Sequence, residues 1–364
     1  MVYFSQKNQI LRRVWQLGCM LFFLAQSASA ETSHSSTLAQ FCTELKKQMT
    51  TLRWKIDPCE GINWKIGGYS VNGRPLVYAD FGPEQAANVS LVLTMVHGDE
   101  ITPLYLGLRL VRWIQENRKV FVSILNSNDL RIVIAPLVNP DGFLRSPRTR
   151  MNSHGVDVNR NFQTQDWEGT ALKSWKFKHR SDPRRFPGMR PRSEPETLFQ
   201  EDLIRKIRPH KVLSVHAPLN FMDYDGPTVL SLNRFPEEYV KECLKLQKRL
   251  KAISGGFYPG SLGNYSGNEL GIPTLTLELP SANPMAAEKY WKQFLSGIEA
   301  MIRFRVPVQR AMRWSPVEKR EDRVEVIRFD RDQSALQDDL GSRLVLGSHE
   351  ASQVICSNNP MAWN

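Results

Sequence analysis

Cysteine is scarce in this chain: five occur in 364 residues, and none has the spacing of a metal ligand. A thiolate metal site of the zinc-finger type is therefore excluded. Long apolar runs are also lacking, because the longest one lies near the N-terminus and is too short to cross a bilayer. No internal repeat or long low-complexity tract occurs, and 41% apolar with 23% charged residues is typical of a globular protein. The sequence thus predicts a folded protein without a stable membrane anchor.

The first 30 residues have the three parts of a secretory signal peptide. Lys7, Arg12 and Arg13 form a basic start, residues 14–25 form an apolar core, and small residues precede a cleavage site after Ala30. We therefore expect export, to the periplasm, with residues 1–30 removed. A second interpretation, a lipid anchor on Cys19, has only an imperfect lipobox before that cysteine.

Loss of the signal peptide leaves four cysteines, Cys42, Cys59, Cys243 and Cys356. An even number in an oxidising compartment favours disulfides. Cys42 and Cys59 are close in sequence, so we pair them and assign Cys243 to Cys356 by elimination. The other two connectivities, and four free thiols, stay open.

The net charge is +11 at pH 7, and three of these positive charges lie in the signal peptide. The mature chain therefore carries about +8. Outside the cytoplasm such a chain meets anionic wall polymers and lipid surfaces, so nucleic acid is not expected as a partner. General solubility is the plainer interpretation of the same charge.

Residues 31–60 form a lead-in with one predicted helix, 39–52, and residues 306–364 form a C-terminal extension with one strand-like stretch, 323–329. The segment 61–305 between them is predicted to be the catalytic domain. It begins with a hairpin, 67–77, turning at Asn72-Gly73. Residues 166–192, rich in Arg, Lys, Pro and Trp, are expected to form a long loop.

Apolar stretches in the central segment alternate with helical patterns. Strands are predicted at 90–96, 130–137, 212–215 and 274–279, and helices at 104–116 and from Ser193, the expected N-cap. This alternation indicates an α/β domain with a mostly parallel sheet. Sites in such sheets lie outside the carboxyl ends of the strands, where His97, His216 and Glu278 all occur.

His97 and Glu100, three residues apart, are candidate metal ligands, and His216 supplies a third. Two imidazoles and a carboxylate match a catalytic zinc site, which leaves one position to water. A His-x-x-Glu pair alone is more often a pair of surface residues. Glu278 ends an apolar strand, where a carboxylate is either a general base or half of a structural ion pair.

Asn159 and Arg160 place an amide beside a planar guanidinium, a combination that binds a carboxylate. Arg150 is a candidate for stabilising an oxyanion. In so basic a chain, any single arginine is by default a solvated surface residue.

These residues, with Asn139-Pro140-Asp141-Gly142 and the segment 155–162, resemble the M14 zinc carboxypeptidase family over residues 60–305. The resemblance implies a mixed sheet of roughly eight strands with helices on both faces. It implies one zinc ion held by His97, Glu100 and His216. Glu278 would act as base and Arg150 would polarise the carbonyl.

The same resemblance gives Asn159 and Arg160 the task of binding the carboxylate of the substrate. A mobile tyrosine of the family corresponds to Tyr258, with Tyr265 as the competing candidate. Further similarity, at residues 193–197, 216–219, 223–226 and 259–263, is to the bacterial murein peptide amidases, which cut the γ-D-glutamyl–diaminopimelate bond.

The expected activity is therefore hydrolysis of an amide bond in murein stem peptides, next to a free carboxylate. One alternative keeps the chemistry but acts on ordinary protein-derived peptides. Another, of a different class, is a non-catalytic wall-binding protein. The basic side chains of 166–192 either steer acidic substrates or are merely exposed; they are Lys173, Lys176, Lys178, Arg180, Arg184, Arg185, Arg190 and Arg192.

Overall fold

The computed structural model describes residues 37–117, 129–226, 258–306, 314–316 and 327–329. The predicted signal peptide, Cys243, Cys356 and most of the C-terminal extension lie outside these residues. The chain divides into two units, Met1–Pro58 and Cys59–Asn364.

The N-terminal unit contains helix α1, residues 37–51. Phe41, Leu45 and Met49 recur every fourth residue and are buried, as an amphipathic helix requires. The helix predicted for this region is confirmed. Cys42 and Cys59 are both disulfide-bonded, so the alternative of four free thiols is wrong.

The C-terminal unit is built on a seven-stranded sheet with the order β1-β2-β4-β3-β5-β7-β6. Its strands are β1 Lys65–Tyr69, β2 Pro75–Phe81, β3 Asn88–Thr94, β4 Leu130–Ala135, β5 Lys211–His216, β6 Met222–Asp225 and β7 Thr274–Glu278. Strands β3, β4 and β5 are buried along their whole length, which explains their continuous apolar sequences. The predicted hairpin is β1–β2.

The sheet is mixed, and this corrects the expectation of a mostly parallel one. Strands β4, β3, β5 and β7 are parallel neighbours, whereas the pairs β1–β2, β2–β4 and β6–β7 are antiparallel. Within the described residues this sheet has seven strands rather than roughly eight. The difference arises at the edges, where a hairpin and the four-residue strand β6 are added antiparallel to a parallel centre.

Helices cover both faces of the sheet, as expected. They are α2 Ile101–Glu116, α3 Pro140–Leu144, α4 Trp167–Lys173, α5 Pro195–Ile207 and α6 Ala287–Arg303. Alternate residues of β3 show which helix lies where. Leu91 and Leu93 belong to one core cluster with residues of α5. On the other face, Gly107 of α2 lies against Thr94, and the hydroxyl of Ser90 contacts the carbonyl of Ile302 in α6.

Residues 166–192 are not the long loop that the sequence predicts. They contain α4, a π-helical turn at Ser174–Lys178 and a 3-10 turn at Pro183–Arg185. The N-cap of α5 is Glu194, not Ser193, whose hydroxyl donates to the Glu194 carboxylate instead. In the C-terminal extension, β8 Trp314–Pro316 pairs antiparallel with β9 Ile327–Phe329. No helix in the described part of the chain is both long and apolar enough to cross a membrane.

Candidate active site

Three parallel strands bring their carboxyl ends to one edge of the sheet, and each carries a predicted site residue. His216 and Glu278 are the last residues of β5 and β7, and the register pairs them directly. His97 follows the end of β3, which is the other neighbour of β5. The predicted gathering of these side chains at one edge therefore occurs, although their strands are far apart in sequence.

The turn after β3 places His97 and Glu100 on the same side. Met95 takes the left-handed conformation, with φ of 54°, and the Glu100 amide donates to the His97 carbonyl at 3.2 Å. Gly98 in this turn lies so close to Gly142 that a Cβ atom there would come within 2.6 Å of its Cα. A side chain at position 98 would therefore force the turn apart.

The metal-ligand candidates converge in a buried cluster. His97 Nδ1 lies 2.7 Å from one carboxylate oxygen of Glu100, and His216 Nδ1 lies 3.0 Å from the other. The two Nδ1 atoms are 3.1 Å apart. One ligand atom from each residue falls within 4.8 Å of the others, so a single ion can contact all three residues.

The hydrogen bonds behind the histidines show that this cluster suits a cation. His97 Nε2 lies 3.1 Å from Asp157 Oδ1, and an ionised carboxylate only accepts, so this nitrogen carries the proton. In the neutral ring the lone pair is then on Nδ1, facing Glu100 and His216. His216 Nε2 is bonded to the hydroxyl of Ser214 at 2.9 Å. Lone pairs and a carboxylate that face one another repel unless positive charge lies among them. Arg150 Nη1, 3.1 Å from His97 Nδ1, supplies part of that charge, and a metal ion would supply the rest. Nitrogen and oxygen donors of this kind fit zinc.

Burial acts to raise the pKa of Glu100, but the interactions with His97 and His216 outweigh burial and lower this pKa. Burial likewise acts to raise the pKa of Asp157, but Arg150 and then His97 hold it well below its usual range. Both carboxylates are therefore ionised at neutral pH, and the cluster has the negative charge that binding of a cation requires.

Arg150 lies at the wall of the cluster. Its Nε donates to Asp157 Oδ2 at 2.8 Å, and its Nη1 lies 3.3 Å from Glu100 Oε1. Asn139 holds the backbone here, since its side-chain amide donates to the Arg150 carbonyl at 3.1 Å. Burial acts to lower the pKa of Arg150, but Asp157 and Glu100 raise it. The guanidinium therefore stays charged beside the metal ligands.

Glu278 is buried at the end of β7 and has few partners. Its Oε2 accepts from the Leu219 amide at 3.4 Å. Burial, and after it the charge of Glu100, raises the pKa of Glu278 to about 7. A carboxylate poised near neutral pH can both accept and return a proton, as a general base requires.

Asn159 and Arg160 lie on one turn that follows Asp157. The Leu262 amide donates to Asn159 Oδ1 at 2.8 Å, which leaves the side-chain nitrogen of Asn159 as a donor. The guanidinium of Arg160 donates to the Asn159 carbonyl at 2.6 Å and lies 4.3 Å from the ring centre of Tyr258. Burial lowers the pKa of Arg160 to about 10, so this group is still cationic at neutral pH.

The two candidate tyrosines have different surroundings. Tyr258 is partly exposed and packs on Arg160. Tyr265 packs against the core cluster, with its ring 5.4 Å from that of Phe162. Tyr258 is therefore the tyrosine beside the clamp, and its assignment as the mobile residue stays a prediction.

Comparison with known proteins agrees with this arrangement. The family model for zinc carboxypeptidases matches residues 63–279, more than half of the chain. The chain belongs to the zinc carboxypeptidase family. The resemblance and the α/β fold class predicted from the sequence are thereby confirmed, and the protein is a peptide hydrolase.

Two relatives of this zinc carboxypeptidase are named murein peptide amidase A. The protein of Escherichia coli K12 is 30% identical over 229 residues, which are 61% of this chain and 84% of that protein. That of Vibrio campbellii is 30% identical over 236 residues, which are 63% of this chain and 84% of that protein.

The solved structure of bovine thrombin-activatable fibrinolysis inhibitor, bound to a tick carboxypeptidase inhibitor, has a TM-score of 0.53 at 18% identity. It covers 72% of this chain and 95% of its own, and it shows the same fold.

Family membership implies zinc, and the His97, Glu100 and His216 donors of this zinc carboxypeptidase fit that ion. Sequence reasoning missed Asp157 and Ser214, the residues that orient the two histidines. Asp157 had a signal, because an acidic residue with no stated role lies in the motif that contains Asn159 and Arg160. Ser214, two residues before His216 in a strand, had none.

Residues 166–192 of the zinc carboxypeptidase also reach the site. Arg184 forms a 2.7 Å salt bridge with Asp99, inside the metal-ligand turn. The Phe186 carbonyl accepts from the Asp157 amide at 2.8 Å. Lys178 lies 5.0 Å from the ring centre of Tyr258. This segment therefore forms part of the wall around the clamp.

Proposed function

We propose that this zinc carboxypeptidase hydrolyses an amide bond in murein stem peptides, next to a free carboxylate. One observation carries the proposal: the buried His97, Glu100 and His216 cluster shares a sheet edge with Glu278. The names of the two relatives, each 30% identical, support murein peptides as the substrate class.

His97, Glu100 and His216 would hold the ion. Zinc supplies Lewis acidity, which makes water more acidic and the scissile carbonyl more electrophilic. Glu278 takes the proton of the attacking water and later gives it to the leaving amine, a task that suits a pKa of about 7. Arg150, charged and held by Asp157, stabilises the negative charge that develops on the carbonyl oxygen.

The position of the clamp explains the demand for a free carboxylate. Asn159 offers a side-chain N–H group, and Arg160 offers a guanidinium from a buried position. Binding of a carboxylate there fixes the departing residue and so orients the amide bond toward Glu278. The departing residue of the murein bond, diaminopimelate, carries such a carboxylate beside the cut amide.

Export to the periplasm belongs to the same proposal, because intact murein lies there. The support is the basic start, apolar core and small-residue cleavage site of residues 1–30. A fusion of these residues to a reporter enzyme that is active only after export tests this part by itself. Activity lost when Arg12 and Arg13 are both changed to Glu supports export, whereas activity without the 30 residues contradicts it.

The activity is tested by mass spectrometry of purified murein tri- and tetrapeptides after incubation with the zinc-loaded chain from Glu31. Parallel samples contain a zinc chelator or the variant Glu278→Gln. Loss of a terminal residue or of a diaminopimelate-containing fragment, only in the active sample, supports the proposal and identifies the bond. Cleavage of ordinary peptides alone would favour a general exopeptidase. Cleavage of nothing would favour a binding protein.

A further inference from the structure

A small basic pocket lies beside the clamp. The residues that line it include Arg160, Ser174, Trp175, His179, Arg185 and Tyr258. Its volume is about 10 Å³, which is the room that one water molecule or one carboxylate oxygen needs. Asn159, the other half of the clamp, is not among the lining residues. The pocket is therefore a position distinct from that between Asn159 and Arg160.

The pocket has more positive than negative charge. Besides Arg160 and Arg185, Lys178 lies 5.0 Å from the ring centre of Tyr258. Burial, and after it the charge of Arg185, lowers the pKa of His179, so this ring, 6.1 Å from that of Tyr258, adds no charge at neutral pH. The nearest compensating contact is long, 3.7 Å from Arg185 to Asp182. Within the described part of the chain, neither Arg160 nor Lys178 forms a salt bridge, although the charge of Asp157 acts on Arg160, and Arg160 Nε has no hydrogen-bond partner. A buried donor without a partner indicates that an acceptor belongs there.

The wall of the pocket is held in place before any ligand binds. Trp175 Nε1 donates to the Asp182 carbonyl at 2.7 Å, and its ring packs 5.0 Å from that of Phe186. Phe186 in turn accepts from the Asp157 amide. Side chains positioned in this way lose little freedom when they bind an anion.

We infer that this pocket binds a second carboxylate of the departing residue. Arg185, which lines the pocket, would contact that carboxylate, and Lys178, which does not line the pocket but packs on Tyr258 at its edge, would attract it. Arg160 lines both positions, so the two carboxylates belong to the same residue. Diaminopimelate has two carboxylates. Lysine is the same compound without the second carboxylate. The inference rests on the proposed function, and it predicts that the enzyme distinguishes these two residues.

The test compares the binding of free diaminopimelate and free lysine to the zinc-loaded protein by calorimetry. Arg185→Gln and Lys178→Gln each remove one charge from a partly or fully exposed side chain, so the fold is expected to survive. Each variant should weaken the binding of diaminopimelate by about 10-fold, the value of one charge-assisted contact, and that of lysine by less than about 2-fold. The matched control is Arg190→Gln, an exposed charge of the same segment. Arg190 is not among the residues that line the pocket, as Arg185 is, and no cation–π contact with Tyr258 is found for it, as it is for Lys178.

Two outcomes would overturn the inference. Equal losses for diaminopimelate and lysine would make the pocket part of the clamp, and no loss for either ligand would remove the pocket from recognition. Cleavage of stem peptides that end in diaminopimelate or in lysine distinguishes failure of this inference from failure of the proposed function. If the wild-type protein and the variants all cut both peptides equally well, only the inference of a second carboxylate site is overturned. Protein that cuts neither but binds diaminopimelate through Arg185 overturns only the proposed reaction.

Discussion

Asp157 joins His97 to Arg150: one carboxylate oxygen accepts from the imidazole Nε2 at 3.1 Å, and the other accepts from the guanidinium Nε at 2.8 Å. A single buried side chain thus orients a metal ligand and the candidate oxyanion-stabilising residue together. Arg150 is seven residues from Asp157 along the chain, whereas His97 is 60 residues away, so only the tertiary structure brings the three together.

Replacement of Asp157 by Asn should weaken zinc binding by about 10- to 100-fold, because the amide no longer fixes the protonated nitrogen of His97. Competition with a coloured chelator measures the affinity. Asp182→Asn, which makes the same change at a carboxylate that contacts none of the three ligands, serves as the control. Unchanged zinc affinity in Asp157→Asn would show that the hydrogen bond to His97 does not orient the ligand.

Replacement of Glu278 by Gln should lower kcat by about 100- to 10,000-fold, because the amide cannot accept the proton of the attacking water. Zinc affinity should stay within about 2-fold, since Glu278 is not one of the converging ligands. Single-turnover kinetics and metal analysis of the same sample give both values. Turnover that survives the change would mean that another residue is the base.

Glu196, fully buried in α5, should make stability depend on pH. Burial raises its pKa from 4.5 to about 7, so the folded state binds the proton more tightly than the unfolded state. The stability that Glu196 contributes is greatest below pH 4.5 and is lost as the pH rises through about 7, by roughly 3 kcal/mol. Nearby Asp141 adds to this effect, whereas the Asn152 amide, at 2.8 Å, opposes it.

Urea unfolding between pH 4.5 and 8, with chelator present throughout so that metal release contributes nothing, measures this dependence. The variant Glu196→Gln mimics the protonated acid and should make the curve less steep, by the roughly 3 kcal/mol assigned to Glu196. The part that comes from Glu278, whose pKa is also raised to about 7, should remain. Glu168→Gln changes an exposed glutamate of α4 and should leave the curve as in the wild type. An equally steep curve in Glu196→Gln would assign the pH dependence to another group.

Replacement of Gly98 by Ala should destabilise the fold by about 1 to 3 kcal/mol or more, because the new methyl group would meet the Gly142 backbone. Gly169→Ala is the matched control. Nothing lies within 4 Å of a Cβ at that position in α4, so it should stabilise by up to about 1 kcal/mol. Thermal unfolding distinguishes the two signs. Equal effects would mean that the turn at Gly98 yields without cost.

Several features of the fold follow from the sequence because they depend on local patterns. Three apolar stretches are strands buried in the middle of the sheet. One ends before His97, one ends at His216 and one ends at Glu278. Parallel strands end at one edge, which brings the three side chains together. The antiparallel β6 was not predictable in this way. Its sequence, Met-Asp-Tyr-Asp, alternates apolar and charged residues over only four positions.

The sequence by itself determined the chemistry available to this zinc carboxypeptidase: the residue types, their order and the strands that end at them. Only the tertiary structure decided which atoms face one another. It assigned Asp157 to His97 and Arg150, placed Tyr258 rather than Tyr265 beside Arg160, and converted the expected loop 166–192 into a wall with His179 and Arg185. The reason is physical: a hydrogen bond depends on distance and direction between side chains far apart along the chain, and no local pattern encodes either.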